Sequence, residues 1–187
     1  MRAIEAALAA GCERFGMRLV HYSVQANHIH LIAEADDARS LSRGLQGLLI
    51  RLAKRLNKHL ARRGKVFADR YHSRALKTPN EVRYALRYVL QNAHKHAAER
   101  GELPPRGAVD PYSSARYFEG YADRDANLVA EAWKRTTPSP VRPPACWLLK
   151  YGWRRRGLLH TDDLPGLPTR LQPRTATAQS RRFRIRE

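Results

Sequence analysis

Asn27-His28-Ile29-His30-Leu31-Ile32 sets two histidines on either side of one bulky apolar residue, in a run with strand character. Alternate side chains of a strand share a face, so His28 and His30 project together while Ile29 and Leu31 go to the other side. Two imidazoles about 7 Å apart along a strand can hold one divalent metal ion. They can equally be two histidines on an ordinary sheet face, and the flanking chain has to discriminate.

Residues 17–25 (MRLVHYSVQ) are β-branched and aromatic and read as a strand, with Ala26-Asn27 as its turn. Residues 28–35 form the next strand, so an antiparallel hairpin is expected. Residues 2–16 (RAIEAALAAGCERFG) are good helix formers stopped by Gly16. After the hairpin, Asp36-Asp37 opens a long helix with acidic residues at its positive end. Leu41, Leu45, Leu48, Leu49, Leu52, Leu56 and Leu60 recur through it at steps of three and four, a stripe expected to be core. The rest of that helix is basic: Arg43, Arg51, Lys54, Arg55, Lys58, Arg62 and Arg63. A merely solvated face mixes signs, so this one is a candidate for phosphate contact.

Gly64 ends the helix, and residues 65–77 (KVFADRYHSRALK) read as a further strand. Thr78-Pro79-Asn80-Glu81 is a helix start, and the helix is expected to run to about residues 100–101. It carries Tyr84, Tyr88 and Asn92 at i, i+4, i+8, a spacing that puts them on one face. Two tyrosines packed on the sheet would account for this. The alternative is chemical, because a phenol can attack a phosphodiester when a metal polarises the phosphate. Two neutral imidazoles and an amide oxygen leave open positions in an octahedral site, which suits Mg²⁺ or Mn²⁺.

Composition narrows the partner. The 187 residues carry 35 Lys and Arg against 17 Asp and Glu, a formal net charge of +18. Most of the cations are arginines, whose planar fork suits phosphate, and nucleic acid is the default polyanion. A hydrophobic content of 43% supports a core. No apolar run approaches a membrane span, and Arg2, Glu5, Glu13 and Arg14 interrupt any secretory pattern, so a cytoplasmic protein without a membrane partner is expected. Cys12 and Cys146 are unpaired in pattern and are assigned no role.

The chain divides into residues 1–120, a helix and proline-rich linker over 121–145, and a basic extension over 146–187 whose tail is expected to be disordered. Trp147, Tyr151 and Trp153 can either stack bases or close a small C-terminal cluster, and Leu148, Leu149, Leu158 and Leu159 favour packing. His94, Lys95 and His96 form a basic group suited to phosphate or to the helix end, while His59, His72 and His160 have no evident partner.

Taken together, the His-Ile-His strand, the leucine-striped basic helix, the Gly64-x-x-Phe67-x-x-Arg70-Tyr71 segment and the Tyr88-x-x-x-Asn92 helix resemble the IS200/IS605-type tyrosine transposases, most closely their REP-associated branch. The resemblance covers about residues 1–120. It implies an HUH single-stranded DNA endonuclease on a ferredoxin-like α+β fold, an antiparallel sheet packed by helices. His28 and His30 would be metal ligands, Tyr88 the nucleophile, and Asn92 the residue completing coordination. Arg70 would join the basic helix in holding DNA. Tyr88 would then cut single-stranded DNA near a hairpin, forming a 5′-phosphotyrosine and releasing a 3′-hydroxyl, with the protein acting as a monomer or homodimer.

Two departures from the family pattern stand out. The family fold opens with a strand, whereas here the first element is a helix, and Ala93 stands where many relatives have proline. A catalytically inactive protein that only binds hairpin or single-stranded DNA is therefore the second reading, and an RNA-binding protein a third.

Overall fold

The computed structural model describes residues 1–68, 71–102, 105, 107–135 and 138–165. It is an α+β fold in which helices cover both faces of a three-stranded antiparallel sheet of order β1-β2-β3. The first helix, α1 (Arg2–Ala9), is shorter than its composition suggests. The chain turns back at Gly11 and places Glu13–Arg14 as a short strand, β1, against β2 (Met17–Val24). Phe15 and Gly16 connect them with φ of 57° and 76°. Positive φ at both residues of a two-residue loop is the hairpin turn whose twist matches its strands, so the expected glycine stop of a helix is instead a hairpin corner.

Strand β3 (Ile29–Ala35) pairs with β2 in the register Ser23↔His30, His21↔Ile32 and Leu19↔Ala33. Val20 is the extra residue of a bulge. The bulge puts Val20 and His21 on one face, where Val20 joins the core beneath α3 and His21 meets the Phe118 ring at 5.4 Å. Ile29, Leu31 and Ala33 face the opposite way, into a second core with α1 and α2.

The long helix α2 (Ala38–His59) begins where Asp37 caps it, accepting from the Ser40 amide at 2.6 Å. Leu45, Leu48 and Leu52 are buried against Met17, Leu19 and Tyr22. The leucine stripe leaves the core before its end, and Leu60 is 57% exposed. Length explains this: 22 residues of helix span about 33 Å, whereas the 7 and 8 residues of the two long strands reach only about 25 Å.

Residues 65–68 and 71–77 form no strand, contrary to expectation. Phe67 packs against the α1/α2 core and Leu76 against the core on the other face of the sheet. The described residues of this segment thus touch the cores on both faces of the sheet, and residues 73–76 border a cavity with β3 without forming a strand. Thr78 and Glu81 then form a capping box for α3 (Pro79–Leu90), as the sequence indicates. Val82, Leu86, Val89 and Leu90 seat α3 on Val20 and Ile32.

The helix does not continue to residue 100 unbroken. Gln91 departs from helical geometry (φ −127°, ψ 16°), and α4 (Asn92–Glu99) starts anew. The buried Gln91 donates Nε2 to the His160 carbonyl at 2.6 Å, a bond that holds the kink in place.

Beyond α5 (Ala126–Arg135), residues 138–145 lie against the sheet: Val141 is buried and the Arg142 amide donates to the Leu19 carbonyl at 2.8 Å. Helix α6 (Trp147–Lys150) and the 3₁₀ turn Gly152–Arg156 pack on α3 through Leu149 and Trp153. Arg83 donates to the carbonyls of Gly157 and Leu158, and Arg87 to those of Asp163 and Leu164. Of the expected aromatic cluster only Trp153 is packed; Trp147 and Tyr151 are 53% and 52% exposed. The tail from residue 166 onward lies outside the described residues.

Candidate active site

His28 ends the β2–β3 turn and His30 lies on β3, on the face that carries Ile32 toward α3. The period-2 rule thus holds: the intervening Ile29 packs into the α1/α2 core. The two Nε2 atoms lie 2.9 Å apart, with the rings edge to face at 81°. His28 Nδ1 is 2.7 Å from the Asn27 side-chain oxygen. That oxygen can only accept, so Nδ1 carries the proton and the Nε2 lone pair of His28 points at His30. Burial, with His28 alongside, holds the His30 pKa below the ordinary imidazole value, which favours the neutral ligand form.

Tyr88 comes to this pair from α3. Its ring stands 4.9 Å from that of His30, at 75°, and it is 39% exposed. Tyr84, one turn earlier, is 64% exposed. Both tyrosines and His30 line one cavity of about 1060 Å³ between β3, α3 and the residues around Leu148.

The kink at Gln91 alters the position of Asn92. A straight helix would set it on the face of Tyr84 and Tyr88, yet it is 1% exposed and opens α4. Neither its Oδ1 nor its Nδ2 has a hydrogen-bond partner among the described residues. A buried amide left unpaired at both ends is costly, and an unpaired carbonyl-type oxygen suits a hard divalent ion. The imidazoles fit as well, because Nε2 atoms 2.9 Å apart match one edge of an octahedron with bonds of about 2.1 Å.

The cations of α2 are elsewhere. Arg51, Lys54, Arg55 and Lys58 border a cleft of about 690 Å³ with α1, on the side of the sheet away from His30. Arg43 stacks over the Phe15 ring at 5.1 Å, and exposed Arg62 donates to the Lys65 carbonyl while Arg63 lies exposed beside it. Arg70 lies outside the described residues. His94 is buried beside Asp110 and not offered to phosphate; burial outweighs that carboxylate and lowers its pKa. His96 is exposed and pairs with Glu99 at 2.9 Å.

Two features have no signal in the sequence. Asn27, readable only as a turn residue, orients His28. His160 does have neighbours: its ring and the carboxylates of Asp123 and Asp162 bring ligand atoms within 4.8 Å of one another. Some forty residues separate Asp123 from the other two, so no local spacing could have revealed them, and Asp123 is already engaged by the Thr161 amide and hydroxyl.

No described helix is long and apolar enough to cross a membrane. No curated protein and no solved structure matches this sequence. The family model described as "Transposase IS200 like" matches residues 2–92, the segment that holds both histidines, Tyr88 and Asn92. Residues 2–92 of this chain are thus similar to the IS200-like transposases.

Proposed function

We propose that the protein is a metal-dependent tyrosine transposase that cuts and rejoins single-stranded DNA near hairpins. The observation that carries this reading is the convergence of His28 Nε2 and His30 Nε2 at 2.9 Å with the Tyr88 ring against His30. His28, His30 and Asn92 would hold Mg²⁺ or Mn²⁺, which when bound would polarise the scissile phosphate and offset its developing charge.

The chain's own residues do the rest. Asn27 fixes the His28 tautomer, and α3 presents the phenol at the mouth of the cavity. Tyr88 Oη attacks phosphorus, forming a Tyr–O–P bond as the P–O3′ bond breaks. The phenolic proton is lost, the departing 3′ oxygen gains one, and the 5′ end stays on the protein. A second 3′-hydroxyl reverses the step without an external energy source, because one phosphoester replaces another. Arg43, Arg51, Lys54, Arg55 and Lys58 of α2, Arg62 and Arg63 just beyond its end, and Arg70 bind phosphates and so position the strand.

The test is a denaturing gel of labelled hairpin-bearing single-stranded DNA with Mg²⁺ or Mn²⁺. A protease-sensitive protein–DNA band is expected, absent in chelator, in Tyr88→Phe and in His30→Ala, and retained in Tyr84→Phe. A band that persists in Tyr88→Phe and disappears in Tyr84→Phe overturns the assignment of the nucleophile.

A further inference from the structure

Exposed apolar groups that lie side by side, and not scattered singly, mark interaction sites. Trp147 and Tyr151 are each about half exposed, although Trp153 in the same short segment is buried and donates Nε1 to the Leu149 carbonyl at 3.0 Å. Trp153 thus anchors a scaffold that holds the other two rings outward. The Trp147 indole is seated on Gly152, where even a Cβ would come within 2.6 Å of the ring. That contact fixes the ring before any ligand arrives. Arg155 lies over the Trp147 ring at 5.3 Å, and Lys150 over Tyr151 at 5.2 Å. Residues 146–158 contain Lys150, Arg154, Arg155 and Arg156 and no acidic residue.

The location matters as much as the composition. Arg51, Lys54, Arg55 and Lys58 border the cleft with α1 and not the cavity that holds His30 and Tyr88. Helix α6 packs on α3, and Cys146 and Leu148 line the same cavity as His30 and Tyr88. Trp147 and Tyr151 therefore belong to the segment that borders this cavity.

We infer that Trp147 and Tyr151, flanked by Lys150 and Arg155, form a stacking platform for the bases of single-stranded DNA. The choice of DNA rests on the transposase reading; the stacking chemistry rests on the exposed rings and their cations. Unpaired bases offer π-faces to such rings, and neighbouring cations take the phosphates. Duplex DNA, whose bases are already stacked, would not use the rings.

The test is binding of a single-stranded oligothymidylate by the full chain, in chelator and at fixed salt, so that no cleavage enters. Trp147→Ala and Tyr151→Ala should each weaken binding about 5- to 150-fold, while Trp147→Phe and Tyr151→Phe stay within a few-fold of the unaltered chain. An abasic strand of equal length should bind weakly, and Trp147→Ala should leave that affinity unchanged. Equal affinity for the abasic strand, or unchanged oligothymidylate binding in both alanine variants, overturns the proposal. Loss of binding to phosphatidylserine vesicles in these variants with oligothymidylate affinity untouched overturns it too. The outcome is separable from the nucleophile test: a platform without chemistry gives stacking and no covalent band, and chemistry without a platform gives the band with unaltered affinity.

Discussion

The ring of Tyr88 stands edge-on to that of His30 at 4.9 Å, although the two residues lie on separate elements, α3 and β3. Val82, Leu86 and Leu90 hold that approach by fixing α3 over Val20 and Ile32. A helix seated by several buried residues presents a side chain more precisely than a loop does. The same packing leaves the more exposed Tyr84 a turn away on the cavity wall.

Asn27 should tune metal affinity without touching the metal. Asn27→Ala removes the acceptor for His28 Nδ1 and frees the ring to change tautomer. Mn²⁺ affinity, read by titration calorimetry, should fall about 10- to 100-fold while the melting temperature stays constant. Unchanged Mn²⁺ affinity would remove Asn27 from the site.

The α2 face should act through salt. Single-strand affinity should fall with rising salt through counterion release, and neutralising Arg51, Lys54 and Lys58 together should flatten the log–log slope by about 0.7 for each phosphate left without its cation. An identical slope in the triple variant would place the DNA path wholly on the α3 side.

His21 should make the fold acid-sensitive. Complete burial lowers its pKa to about 3, below the unfolded value of about 6.5. Between those values the unfolded chain binds a proton that the native chain does not, so stability is full above the unfolded pKa and is lost as pH falls toward the folded one. From pH 7 to pH 5 this group should cost about 2 kcal/mol. Urea unfolding at the two pH values should show a smaller loss in His21→Gln, which keeps a polar partner for the Ser114 hydroxyl 3.1 Å from the native ring. Equal losses in both chains would show that His21 is not the group responsible.

Gly44 tests the fit between α2 and the sheet. Alanine is favoured over glycine within a helix by about 1 kcal/mol, but a Cβ at Gly44 would lie 2.4 Å from the Met17 Cβ. Met17 is 1% exposed on β2 and has nowhere to move. The overlap should win, so that Gly44→Ala is destabilised by about 1–3 kcal/mol in thermal or denaturant melts. A stabilised variant would mean that helix and sheet can separate freely.

Local periodicity carried much of this fold into the sequence. Alternation along residues 28–35 is enough to set His28 and His30 on one face and Ile29 on the other, because a strand has no other way to place neighbours. The leucine spacing of α2 and the Thr78–Glu81 cap are likewise local, and each rests on contacts within a few residues. What depends on distant partners was decided only by the tertiary structure. The kink at Gln91 is held by the His160 carbonyl, and it removes Asn92 from the exposed tyrosine face and buries it. The segment around residues 65–77 has strand-like composition, yet its described residues form no strand and touch the cores on both faces of the sheet. Trp147, Tyr151 and Trp153 look alike in sequence, yet packing on α3 buries only the last. The basic face of α2 and the histidine pair are both legible in the sequence; that they occupy opposite sides of the sheet follows from which face each element buries, and no spacing along the chain records it.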